Sequence, residues 1–257
     1  NHSRVNSFQL YLMSGAKDDR WKAKPESWYY FEDGRVTYGL KPGTDLKAYK
    51  QTCLEIANFM QQLSQAVISG QKDLETARNE ARLFIKTADP WQFVNTVDVK
   101  KDSVVDLSSG GIHHSWEEES ELYPDGNIVY EVQHDVMDPV CTIRAFDQGK
   151  IKDNGSIREI HIEDYFAHLD TDERVNSPQE AMQEPKGNNL LTTPYYSLDK
   201  FDISQELQIK ILDSFEHIYV KSGKITIKTN DTSLTLGAGH SAFIPYAVGT
   251  YSIVPSI

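Results

Sequence analysis

The residues able to do chemistry gather in the stretch from Asp102 to Arg144, with a shorter partner at Lys24-Pro25-Glu26. The longer stretch holds Ser108-Ser109-Gly110-Gly111-Ile112-His113, then Glu131-Val132-Gln133, then Arg144. A glycine turn delivers a histidine, a strand with an inward acid follows, and an arginine comes last. A small β-barrel uses that order to point a metal ligand, a carboxylate and an anion clamp into one mouth. Glu26, at a separate strand entry, is the candidate second ligand. Taken singly, His113 is also an ordinary turn histidine and Glu26 an ordinary strand-edge acid, since both types are common on surfaces. His114 adjoins His113, but neighbours on a strand point oppositely, so only one of them faces a shared metal. Lys24 stands two residues before Glu26, on the same strand face, where it can hold a ligand oxygen; as a type it is equally a solvent lysine. Arg144 is as readily a salt-bridge partner of Glu131 or Asp147, and Glu131 a structural partner of Arg144, as they are site residues.

Bulk properties narrow the field. The chain has 257 residues, enough for one large or two medium domains with real cores. A net charge of −12, with no basic block to offset it, excludes a nucleic-acid partner. A small phosphate can still find a local basic pocket. Cys53 and Cys141 lie far apart and read as reduced core thiols of a cytoplasmic protein. No apolar run reaches the ~18 residues of a membrane span. The opening Asn1-His2-Ser3-Arg4, without Met, is what a fragment lacking its N-terminal part would show.

The elements that must position these residues follow from periodicity. Val5, Phe8, Leu10 and Leu12 fit a strand or a short helix equally. Pro25 to Phe31 reads as an aromatic strand, Glu32-Asp33-Gly34-Arg35 as a turn, and Arg35 to Leu40 as the returning strand of a hairpin. Over 45–90 the period changes. Leu46, Tyr49, Cys53, Ile56, Met60, Leu63 and Val67 recur at three and four, an amphipathic helix stopped by Gly70. A second helix capped by Asp73 carries Leu74, Ala77, Ala81 and Phe84 and ends at Asp89-Pro90. This inserted helical hairpin reads as a packing wall. Strands resume at Phe93–Val99, Val104–Leu107, Asn127–Gln133 and Cys141–Phe146. Glu117, Glu118, Glu119 and Glu121 read as a solvated loop, and a short helix is expected at Ile162–Leu169. Residues 171–189 are polar with two prolines and read as a linker. Seven short strands with polar turns follow, a barrel or jelly-roll pattern. The fold class expected is mainly β: two cupin-type jelly-roll barrels with an inserted α-helical hairpin. Residues 1–44 with 91–170 would form the first barrel, incomplete at its N-terminus, and 190–257 the second.

These segments carry a family resemblance. Asp102 to His113 resembles the second cupin motif, with Ser108 where proline is usual. Glu216 and Gly223 resemble the end of the first cupin motif and Gly239 to Pro245 the second. The histidine positions there fall on Lys210 and Leu212, so the C-terminal barrel is expected to lack metal histidines. More narrowly, Lys24-Pro25-Glu26-x-Trp28-Tyr29, Tyr38 to Gly43, Gly110-Gly111-Ile112-His113, Glu131-x-Gln133, Ile143-Arg144, Gly155 to Ile162 and Phe243-Ile244-Pro245 resemble, in order, segments of the type I mannose-6-phosphate isomerases. The chain departs from that family in lacking its Gln-x-His-Pro motif. This leaves two expected ligands to an upstream segment or to loss, with His2 as a weak substitute. The longer spacing between Gln133 and Arg144 leaves the place of Asp138 open.

The resemblance implies a metal-dependent isomerase. Mannose 6-phosphate and fructose 6-phosphate would interconvert through a cis-enediol, with one Zn2+ per chain held by Glu26, His113 and two upstream residues. It implies Lys24 on a substrate oxygen, Arg144 stabilising the enediolate and Glu131 as acid/base. Arg158 and His161 read as packing residues. Two other readings stand beside it. One is a non-catalytic sugar-phosphate-binding or regulatory paralogue, to which the absent Gln-x-His-Pro points. The other is a two-cupin oxygenase, which would need a His-x-His pair that neither barrel shows.

Overall fold

The computed structural model describes residues 7–13, 15–115, 122–137, 140–147, 149–183 and 185–256. His2, the acidic run over 116–121 and Asp138 lie outside them. The chain divides into two compact units, Asn1–Asp199 and Lys200–Ile257.

Among the described residues the first unit has eleven strands and four α-helices. The strands are β1 (Ser7–Leu10), β2 (Glu26–Tyr30), β3 (Gly34–Leu40), β4 (Val94–Val99), β5 (Val104–Asp106) and β6 (His113–Ser115). After them come β7 (Val129–Gln133), β8 (Ile143–Asp147), β9 (Met182–Gln183), β10 (Asn189–Thr192) and β11 (Ser197–Asp199). The helices are α1 (Leu46–Ile68), α2 (Leu74–Ala88), α3 (Ile162–His168) and α4 (Pro178–Ala181). Two sheets matter for the site. One runs β4-β3-β6-β1-β8, the other β7-β2-β5-β9, and every pairing in them is antiparallel. Trp28 and Tyr30 from the second sheet pack with Val36, Tyr38 and Val99 from the first, so the sheets face one another across a shared apolar layer. Antiparallel sheets packed face to face make a mainly β fold of cupin type.

The turn at Asp33-Gly34 does not make a hairpin. β2 pairs with β5 and β7, β3 with β4 and β6, so the turn hands the chain from one sheet to the other. Asp33 is drawn away from its own turn, accepting hydrogen bonds from the Lys101 N–H and the Lys100 ammonium. A local Asp-Gly signal cannot tell a hairpin from such a crossing, because the distant partners decide it.

Helix α1 is capped by Asp45, whose carboxylate accepts from the N–H groups of Lys47 and Ala48; Asp73 caps α2 through Thr76. Tyr49, Cys53, Ile56, Met60 and Leu63 form the buried stripe of α1, packed in one core with Phe8, Ile143 and Phe146. Phe8 thus points at the helices. Its neighbour Gln9 points the other way, towards the opposing sheet. The polar segment 171–189 carries α4 and β9, and Asn176 within it is buried, accepting from the Leu40 N–H at 2.8 Å. Residues 190–199 form β10 and β11, a small sheet of the first unit; the compact boundary follows Asp199.

The second unit contains β12 (Leu207–Lys210), β13 (Glu216–Tyr219), β14 (Lys224–Lys228), β15 (Ser233–Gly237), β16 (Ser241–Ile244) and β17 (Thr250–Pro255). They form the sheet β12-β17-β14-β15 and the pair β13-β16 around Ile211, Val220, Ile227, Leu236, Ile244 and Ile253. Cys53 and Cys141 are both buried and unpaired as a disulfide. Among the described residues no helix is long and apolar enough to cross a membrane.

Candidate active site

Strand alternation builds the site. Lys24, Glu26 and Trp28 share one face at the entry to β2, and Gln133 and Glu131 stand opposite Glu26 and Trp28 on β7. On the facing sheet Gln9 of β1 stands opposite His113 of β6. Gln9, Lys24, Glu26, Trp28, Glu131 and Gln133 line a cavity of about 470 Å³, within the usual range for small-molecule sites, and the fully buried His113 backs it through Glu26 and Gln9. Another cavity, of about 560 Å³, lies along Ala16–Ala23 and contains none of the candidate residues.

At the cavity floor Glu26 is 1 % exposed. Its Oε2 accepts hydrogen bonds from the Tyr11 hydroxyl and the Lys24 ammonium, both at 2.8 Å. Its Oε1 lies 3.2 Å from His113 Nε2. The Gln9 amide lies 3.1 Å from that same nitrogen and 3.1 Å from the Tyr11 hydroxyl. His113 Nδ1 lies 2.8 Å from the Gly111 carbonyl. That oxygen accepts only, so Nδ1 carries a proton and donates it, and Nε2 is turned at the carboxylate. Gly110 makes the loop possible. Its φ is +83°, and a Cβ there would stand 2.7 Å from the Tyr11 carbonyl oxygen. The His114 ring lies against Phe8 and Thr37 and also borders the cavity, while His113 is the one of the pair whose Nε2 reaches Glu26 and Gln9.

Burial pushes the Glu26 carboxyl up, but the hydrogen bond and charge of His113, joined by Lys24, outweigh it and bring the group down to about 2. Glu26 is therefore a carboxylate at neutral pH. Glu131 goes the other way: burial, then the nearby charge of Glu26, raise it, although Lys24 at 3.8 Å opposes. Its side chain remains 41 % exposed and reaches the open part of the cavity. Burial and the Glu26 charge hold the Tyr11 phenol well above its usual range, so it is a neutral donor.

Arg144 is buried on β8, where its backbone N–H and C=O both bond to His161, and it stands opposite Gln9 of β1. Arg158 lines the cavity, with its Nε 3.3 Å from Asp147. Lys24, Glu26 and Glu131 thus stand together with His113, and Arg144 is the strand neighbour of Gln9. Sequence reasoning missed Gln9 and Tyr11. The usable signal was Gln9-Leu10-Tyr11, polar groups two apart as in Lys24/Glu26. It was hidden because amide and phenol are not typical metal ligands, and only contact with Gln9, Glu26 and Lys24 brings Tyr11 to the site.

The donors can be tested against a divalent cation. Bond lengths of about 2.0–2.2 Å put neighbouring ligand atoms about 3.3 Å apart. The 3.2 Å and 3.1 Å separations around His113 Nε2 match that spacing. A half-turn of the Gln9 amide would present its oxygen to the same point. Glu26, His113 and Gln9 therefore fit a divalent cation. Among the described residues no group of three or more His, Cys, Asp or Glu is gathered for a metal; Gln9 offers an amide and Tyr11 a phenol beside Glu26 and His113.

Residues 186–256 match the family model of the mannose-6-phosphate isomerase cupin domain. Mannose 6-phosphate isomerase from Bacillus subtilis superposes with a TM-score of 0.64 at 17 % identity, covering 98 % of this chain and 70 % of that one. The fold is similar to that of the mannose-6-phosphate isomerases, and the C-terminal segment matches their cupin domain. A lysine-to-alanine mutant of phosphomannose isomerase from Salmonella typhimurium superposes at 0.57, with 15 % identity over 99 % of this chain and 75 % of that one. A zinc-bound mannose 6-phosphate isomerase does so at 0.54, with 15 % identity over 97 % and 73 %. No curated protein matches the sequence. This chain has Gln9-Leu10-Tyr11-Leu12 beside Glu26 and His113, whereas the resemblance left the two ligands of Gln-x-His-Pro to an upstream segment or to loss.

Proposed function

We propose that the chain is a metal-dependent aldose–ketose isomerase of a cytoplasmic sugar phosphate, interconverting mannose 6-phosphate and fructose 6-phosphate through a cis-enediol. The observation that carries this reading is the convergence of Gln9, Glu26 and His113 beside Lys24 and Glu131 at the floor of one cavity. The two units are read as jelly-roll modules, with 45–90 inserted in the first. The resemblance and the zinc-bound relative in fold favour Zn2+ as the metal. Glu26, His113 and Gln9 would hold it, and when bound it polarises the sugar's carbonyl and hydroxyl oxygens.

The chain's own groups divide the remaining work. Lys24 donates to the substrate oxygen that gains charge, while its Glu26 partner keeps the ammonium in place. Glu131, exposed enough to touch a sugar and more basic than an ordinary carboxylate, takes the C2 proton and returns it to C1. Arg158 meets the phosphate at the cavity wall. Arg144, opposite Gln9 on β8, stabilises the charge of the enediolate.

A second reading has its own observation. Tyr11 brings a phenol, not an imidazole, to Glu26 and Gln9, which favours a paralogue that binds sugar phosphate without turning it over. Assaying the purified protein on mannose 6-phosphate, with and without chelator and beside Glu26→Ala, separates the two. Turnover lost to chelator and to Glu26→Ala is the expected result. Turnover indifferent to Glu26→Ala sinks the isomerase, and sugar-phosphate binding without turnover selects the paralogue.

A further inference from the structure

We propose that Tyr11 sets the cation preference of this site, narrowing the advantage of zinc over oxygen-seeking divalent ions such as manganese(II). The inference rests on the reading that Gln9, Glu26 and His113 hold a divalent cation. Around the point these groups share, His113 Nε2 is the one nitrogen donor; Glu26 supplies a carboxylate, Gln9 an amide oxygen and Tyr11 a phenol. Imidazole suits zinc, whereas carboxylate, carbonyl and water suit manganese and magnesium. A set with three oxygens to one nitrogen lies towards the second kind.

Two contacts strengthen the argument. The Tyr11 hydroxyl is engaged with Glu26 Oε2 at 2.8 Å, and the Lys24 ammonium sits on that same oxygen and 3.2 Å from the hydroxyl. Tyr11 therefore offers a weak, shared oxygen at the corner where a second imidazole would most favour zinc. Its ring is buried, 2 % exposed, and the Lys24 ammonium lies 4.9 Å from its centroid, so the hydroxyl has little room to swing away.

The test measures zinc and manganese(II) dissociation constants by titration calorimetry, with chelator competition, for the wild type and Tyr11→His. The histidine variant is expected to tighten zinc at least about tenfold and manganese(II) less than about threefold. A folded Tyr11→His protein whose zinc-to-manganese ratio moves less than threefold overturns the inference and leaves the metal-site reading intact. A wild type that binds neither cation overturns both. Cobalt(II) added to the unmodified protein keeps the test independent of the variant's folding. The weak visible absorption of an oxygen-rich, five- or six-coordinate ion is expected, and an intense tetrahedral band would overturn the inference.

Discussion

Asp147 is 5 % exposed on β8, and among the described residues neither of its carboxyl oxygens accepts a hydrogen bond. Burial raises this carboxyl, and Arg158 only partly opposes. A group whose folded value is raised contributes stability that is present below its unfolded value and is lost as pH rises through the folded one. The buried charge is therefore a growing burden from about pH 4, the ordinary aspartate value, upward. Asp147→Asn, which cannot ionise, should gain on the wild type as pH goes from 4 to 7 in urea unfolding. A gap that closes over this range would refute the assignment. At this scale the sequence was legible where one residue type has one strong chemistry. Lys24 and Glu26 share a strand face as their spacing implied, and His113 lies beside Glu26, a pairing that the resemblance suggested and spacing alone did not. Gln9 and Tyr11 were not legible, because amide and phenol are poor metal ligands by type and only their place opposite Glu26 gives them a role.

The loop that delivers His113 is a matter of one glycine. Gly110 holds φ at +83° and lets the Tyr11 carbonyl approach where a Cβ would lie 2.7 Å away; the Tyr11 N–H in turn donates to the Gly110 carbonyl at 3.0 Å. Left-handed backbone costs a non-glycine residue about 1–2 kcal/mol, and the contact adds to it. Gly110→Ala should therefore lower stability by about 2 kcal/mol or more. It should also weaken divalent-cation binding, because β1 and the His113 loop must separate. Chemical denaturation and calorimetry on the same sample check both; a stable variant with unchanged binding would show that the loop tolerates the shift. The α1–α2 hairpin was legible, with Asp73 as the cap of α2, since a stripe at three and four and an N-terminal Asp are local signals; the Asp45 cap and α4 were not read. The β2–β3 turn was misread as a hairpin because pairing is a long-range property that no local signal contains.

At the scale of the whole molecule, the second unit has a core of its own, in which Ile227 is 3 % exposed among Val220, Leu236, Ile244 and Ile253. Its repeated short strands were legible in the sequence; the boundary after Asp199 was not, because the polar stretch before it looks like a linker while β10 and β11 still belong to the first unit. A unit below about 70 residues gains little margin from its core alone. Ile227→Ala removes buried methyl groups and should cost about 2–5 kcal/mol. For a unit of this size each kcal/mol moves the midpoint by about 4–8 °C. Scanning calorimetry of the full chain should then show an early transition displaced by about 10 °C or more. A later transition, together with cation binding measured at low temperature, should stay in place, because the site's residues all lie in Asn1–Asp199. If the whole melt shifts as a single transition, the two cores unfold as one cooperative unit, and the second contributes to the stability of the site without touching its chemistry.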